Sequence, residues 1–87
     1  MSDESLLQFP CEFPIKIMGT NTPDFRNLVT DLIRRHVIEL DETRIQVRDS
    51  SAGRYQSLTV VVDVHSRAQL DAIYRELSGH PDITMVL

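Results

Sequence analysis

Residues 55–79 read YQSLTVVVDVHSRAQLDAIYRELSG, and their hydrophobic period changes once. From Tyr55 to Val64 the period is two. Leu58, Val60, Val62 and Val64 share one side, and Ser57, Thr59, Val61 and Asp63 share the other, the alternation of a strand covered on one face. From Ser66 the period becomes 3.6, with Leu70, Ile73, Tyr74 and Leu77 on one stripe. Ser66-Arg67-Ala68-Gln69 fits a capping box, a hydroxyl at the N-cap and an amide three residues on. Gly79 suits the residue after a helix and Pro81 forbids its continuation. Ile83-Thr84-Met85-Val86-Leu87 then ends the chain as a strand, so residues 55–87 read as one β-α-β half.

The preceding residues repeat the pattern. Phe13 to Gly19 sets Ile15 and Ile17 against Lys16 and Met18, a half-buried strand. Gly19-Thr20-Asn21-Thr22 is turn chemistry, Thr22 reads as an N-cap, and Pro23 and Asp24 suit the first helical turn. Phe25, Leu28, Val29, Leu32, Ile33, His36 and Val37 form the apolar stripe of the first helix. After Leu40-Asp41-Glu42-Thr43, the segment Arg44 to Arg48 alternates as a strand, and Asp49 to Arg54 links it to Tyr55. The order βαββαβ predicts an α+β domain of ferredoxin-like type, a four-stranded antiparallel sheet with both helices on one face. The predicted core is Ile15, Ile17, Phe25, Leu28, Val29, Leu32, Ile33, Ile45, Val47, Leu58, Val60, Val62, Leu70, Ile73, Leu77, Ile83 and Met85. Residues 9–87 form this single domain, and residues 1–8 a mobile tail whose Leu6 and Leu7, with Phe9, pack back on it.

With 87 residues there is no room for a second domain. Hydrophobic residues at 41% and charged residues at 25% are globular proportions. Thirteen acids against nine bases give a net charge of −4, a poor start for binding phosphate backbones. Cys11 is alone, so no internal disulfide forms and a cytoplasmic setting follows. The acidic N-terminus lacks a signal-peptide pattern, and Val60-Val61-Val62 is too short to span a bilayer.

The face opposite the helices is predicted to carry Lys16, Met18, Arg44, Gln46, Arg48, Tyr55, Ser57, Thr59, Val61, Thr84 and Val86. RNA-binding domains of this topology stack bases on aromatic residues of the two central strands, and here those positions hold Lys16, Met18, Ser57, Thr59 and Val61. No nucleic acid and no membrane are expected as partners. Met18, Val61 and Val86 make a small apolar strip, read either as ordinary surface or as a docking face.

Cys11, His36, His65 and His80 lie in four segments with no metal-ligand spacing, so no metal is expected. His36 reads as a core or capping histidine. Ser66 beside His65 is explained by the cap, and Cys11 stands between Pro10 and Glu12, an acidic setting that does not activate a thiol. No catalytic residue and no cofactor are assigned. Two loops remain as ligand or partner candidates. Gly19, Thr20 and Asn21 precede a helix and suit an anion or small polar ligand. Arg48, Ser50, Ser51, Gly53, Arg54 and Tyr55 surround a link long for a hairpin, with backbone amides available to form an anion nest. Acylphosphatases share the topology and use a similar first loop, but Pro23 separates Gly19 from Phe25-Arg26, which breaks their spacing.

Phe9-Pro10, Lys16-Ile17-Met18-Gly19, Arg35-His36, Ser50 to Ser57 and Met85-Val86-Leu87 occur in an order that resembles the YbeD-like family of small bacterial proteins. The resemblance runs from about Leu7 to the end. It implies a ferredoxin-like fold similar to ACT regulatory domains, which bind amino acids at the glycine-containing loop after strand one, often across a dimer. Gly19 fits that loop loosely. The family's genes often neighbour that of an octanoyl transferase of lipoate assembly. The expected function is a non-catalytic regulatory or protein-interaction domain, its partner another protein or a second copy. An ACT-like sensor of a small polar ligand is the alternative, and an acylphosphatase-like hydrolase the remotest.

Overall fold

A computed structural model describes residues 8–50 and 52–87. Leu6, Leu7 and Ser51 lie outside them, as does the expected tail except Gln8. The elements are β1 (Cys11–Thr20), α1 (Phe25–Arg34), a 3₁₀ turn (Glu42–Arg44), β2 (Gln46–Asp49), β3 (Tyr55–Val64), α2 (Arg67–Ser78) and β4 (Ile83–Val86). The sheet order is β2-β3-β1-β4, with every neighbouring pair antiparallel. β1 and β3 are the long central strands, paired from Cys11↔Val64 to Thr20↔Tyr55. The fold is the expected ferredoxin-like plait.

One sheet face and both helices bury a single core. Ile15, Ile17, Leu58, Val60, Val62 and Val64 meet Phe25, Val29, Leu32 and Ile33 of α1 and Leu70, Ile73 and Leu77 of α2. The Ser66 cap of α2 is as read, Ser66 Oγ accepting the Gln69 amide at 3.0 Å, while Gln69 Oε1 accepts the amide of His65, one residue before the N-cap, at 2.7 Å. Gln69 Nε2 also donates to the His36 carbonyl at 2.8 Å, which ties α2 to the end of α1.

The structure corrects four readings. Thr22 is not the cap of α1. Its carbonyl accepts the Phe25 amide at 3.2 Å in a tight turn, and Asp24 opens the helix without a side-chain cap. α1 stops at Arg34, so His36 lies beyond it and its ring meets Glu76 of α2 at 3.0 Å. Val47 faces the helix side, opposite Leu58, but remains 46% exposed because β2 is an edge strand that the helices do not cover. Finally, Gly19 pairs with Ile83 and Met18 with Met85, so Thr84 is an extra residue in β4. Such a bulge reverses which side chains face in. Met85, predicted for the core, is 49% exposed on the open face, while Val86, predicted outside, packs on the core. Leu28 and Ile45 are only partly buried, and Val37 and Val64 join the core.

Candidate functional site

The two candidate loops, far apart in sequence, are one structure. The Asn21 amide donates to the Arg54 carbonyl at 2.9 Å, and Asn21 Nδ2 donates to the Gly53 carbonyl at 2.9 Å. Gln56 Nε2 reaches both Asn21 Oδ1 at 3.4 Å and Asp49 Oδ1 at 3.1 Å. The sequence reading did not single out Gln56. It lies next to Tyr55 on the opposite face of β3, and only the pairing of Thr20 with Tyr55 brings the two loops within its reach.

Gly19 is held by packing. A Cβ there would stand 2.2 Å from Phe25 Cε1 and 2.5 Å from the Asp82 carbonyl oxygen, so the ring of Phe25 occupies the space a side chain needs. Gly53 differs: its φ of +71° lies in the left-handed region that favours glycine, with open space around it. The link closes on itself. The Gly53 amide donates to the Ser50 carbonyl at 2.9 Å, the Ser50 amide to the Tyr55 carbonyl at 2.9 Å, and the Tyr55 amide to Ser50 Oγ at 3.2 Å. The amides of Ser50 and Gly53, two of the three expected to form an anion nest, are thus already used within the turn, and Ser51 lies outside the described residues.

This end of the sheet carries a concavity on each side. On the helix side, a cleft of about 530 Å³ is lined by Asn21, Thr22, Pro23, Arg26, Val47 and Gln56. Arg26 is engaged there, donating to the Glu42 carbonyl at 3.2 Å and lying 3.9 Å from its carboxylate. On the open face, a trough of about 150 Å³ runs between Lys16, Met18, Arg48, Tyr55 and Ser57. The open face continues through Thr59, Val61, Met85 and Leu87, whose backbone pairs with Lys16. Residues 16–19, 52–57 and 85–87, with Ser50, therefore meet at one sheet end.

The far end of the open face is acidic and bridged. Glu12 stands opposite Asp63, and Arg44 Nη1 donates to Glu12 Oε2 at 2.6 Å. That hydrogen bond, reinforced by the guanidinium charge, holds the Glu12 carboxyl below the usual glutamate range. Thr43 does the same for Asp41 by hydrogen bonding. The histidines serve separate places: His36 meets Glu76, and His80 Nδ1 accepts the Asp82 amide at 3.1 Å. Among the described residues no group of three or more His, Cys, Asp or Glu side chains is placed to hold a metal, and no helix is long and apolar enough to cross a membrane.

Solved structures of known proteins share this architecture. The solution structure of Helicobacter pylori protein HP0495 matches with a TM-score of 0.77 at 15% identity, over 93% of this chain and 85% of that one. The ACT domain of a GTP pyrophosphokinase from Chlorobium tepidum matches with a TM-score of 0.65 at 15% identity, over 87% and 84%. At such identities the likeness concerns the fold alone. Sequence relatives are much nearer. A UPF0250 protein of Paraburkholderia phytofirmans is 49% identical over 85 residues, 98% of this chain and 96% of the relative. Another from Chromobacterium violaceum is 48% identical over 89 residues and covers both chains fully. A family model described as a protein of unknown function, DUF493, spans residues 4–87. The chain belongs to the DUF493 family, the YbeD-like UPF0250 proteins that its sequence resembles.

Proposed function

We propose that this protein is a non-catalytic interaction domain that engages another protein of the cytoplasm through the open face of its sheet, at the end where the two loops join. The observation that carries the reading is the composition of that face. It places two cations, Lys16 and Arg48, beside Met18, Met85 and Leu87, with no helix above them. Met85 is 49% and Leu87 60% exposed. Apolar atoms and undischarged cations together are a surface that gains by being covered. The joined loops give it a rigid rim: β3 is fixed to β1 over ten pairs, and Asn21 fastens the link to the strand end. Neither nucleic acid nor membrane suits it, given the net charge of −4 and the absence of aromatic side chains from the middle of β1 and β3.

The test is affinity capture of the tagged full chain from its own cell extract, compared with an Arg48→Glu, Arg54→Glu variant. A defined protein partner, lost in the variant, supports the reading. Capture that is equal in both, or of nothing specific, removes it.

One observation favours a second reading, a sensor of a small polar ligand. The helix-side cleft beside Asn21 offers an amide pair, Asn21 and Gln56, next to the apolar Val47 and Pro23. It occupies the loop after β1, where the resemblance to ACT domains implies a ligand. A saturable rise in Tm with a single amino acid, abolished by Gln56→Ala, would favour the sensor over the interaction domain.

A further inference from the structure

We propose that the open-face trough is a carboxylate-binding site, built to receive an aspartate or glutamate side chain of an extended segment in the partner protein. This rests on the reading of the open face as the interaction surface and names the chemistry recognised there.

The register makes the trough. β3 lies between β2 and β1. Arg48 stands opposite Ser57, and Ser57 opposite Met18. Two residue pairs along the strands, on the same face, Thr59 stands opposite Lys16. The two cations therefore rise from the strands on either side of β3, and β3 sets only two short hydroxyl residues between them. Long side chains flanking short ones leave a groove, about 150 Å³ here, with Tyr55 closing one end. Ser57 is only 9% exposed although it lies on the uncovered face, so its neighbours already fold over it.

Charge decides what the groove takes. Arg26, Arg34, Arg35, Arg44 and Arg67 each have a carboxylate partner. Lys16 and Arg48 are in no ion pair among the described residues. Asp49 also lines the trough, but it is in no ion pair with either cation and its Oδ1 accepts the Gln56 amide at 3.1 Å. Two cations set diagonally across one strand repel, and a carboxylate placed between them discharges both. The Ser57 hydroxyl lies on the floor of the groove, its proton donated to the Arg48 carbonyl at 3.4 Å. The volume admits a carboxylate side chain. On the Lys16 side the surface continues into Met18, Met85 and Leu87, so the acidic residue is accompanied by a large apolar one. An extended segment alternating acid and apolar side chains meets both demands.

The experiment is an amide NMR titration of the full chain with three probes: a peptide alternating glutamate and leucine, its lysine–leucine counterpart, and inorganic phosphate. The expected result is saturable shifts at Lys16, Arg48, Tyr55 and Ser57 with the acidic peptide alone. Affinity should weaken at least tenfold in a Lys16→Glu, Arg48→Glu variant of unchanged Tm, and be retained in a Lys16→Arg, Arg48→Lys variant. Equal binding by the double Glu variant, absence of saturation, or shifts centred on Asn21 and Gln56 would overturn the proposal. Saturation by phosphate as tight as by peptide would make the trough a free-anion site and overturn it too. A doubled mass of the peptide-free chain, with these same amides shifting on dilution, would assign the face to a second copy instead. Should the peptide fail while a captured partner is still lost with Arg48→Glu, Arg54→Glu, the carboxylate site falls and the interaction domain stands. Should capture fail as well, both fall.

Discussion

Ile15, Lys16, Ile17 and Met18 are consecutive in β1, yet alternate residues serve opposite sides of the sheet. Ile15 and Ile17 are fully buried under the helices, where the ring of Phe25 also closes over Gly19. Lys16 and Met18 look out on the face opposite the helices. The first side is committed, since its groups, apart from the edge residue Val47, are packed by others of the chain. The second has a trough, two cations in no ion pair among the described residues and exposed apolar groups, so it is incomplete by the same standards of burial and charge pairing. A sheet covered on one face separates stability from recognition residue by residue, and a mutation's effect should depend on the parity of its position.

The largest effect expected on the covered side is from Ile17→Ala, a cavity-forming loss of about 4 kcal/mol in urea unfolding. Gly19→Ala follows at about 2 kcal/mol, since the new Cβ meets an aromatic ring and a carbonyl rather than open space. Removing the α2 cap with Ser66→Ala should cost about 1 kcal/mol and show as faster amide exchange in the first turn. On the open side, Lys16→Glu with Arg48→Glu should leave unfolding within about 0.5 kcal/mol of wild type. A large loss there would break the division between faces.

The smallest effect is electrostatic. Glu12 is held below its ordinary pKa by Arg44, so the stabilisation from this pair is present above the unfolded-state value and is lost as pH falls through the folded one. Both groups are exposed, so little global stability depends on it. Carboxyl NMR should place the Glu12 midpoint below that of a free glutamate, and Arg44→Ala should raise it.

What was legible in the sequence follows the same division. Strand and helix order could be read because hydrophobic period, Ser66 and Gln69, and the Gly79–Pro81 stop are local signals that tertiary structure reinforced. Val47 alternates correctly, but its exposure depends on how far the helices reach across the sheet, which no local pattern encodes. Thr84 carries no sign of a bulge. It inserts where β4 must reach Gly19, and so exchanges the places of Met85 and Val86. Thr22 has the chemistry of a cap and was displaced by the Pro23–Asp24 turn. The candidate site was legible only in pieces. Alternation put Lys16, Arg48 and Ser57 on one face, but their convergence depends on register, and the junction of the two loops through Asn21 depends on a long-range pairing.

Lys16 is the chain's only lysine, which makes it a reporter for the open face. The most direct test of the account is amine-reactive cross-linking of the tagged full chain in its own extract, with the linked residues located by mass spectrometry. The account predicts that the captured partner is joined through Lys16, at a residue beside an aspartate or glutamate of its own. A partner captured with Lys16 left accessible and unlinked, and contacts mapping to the Asn21–Gln56 cleft, would contradict it.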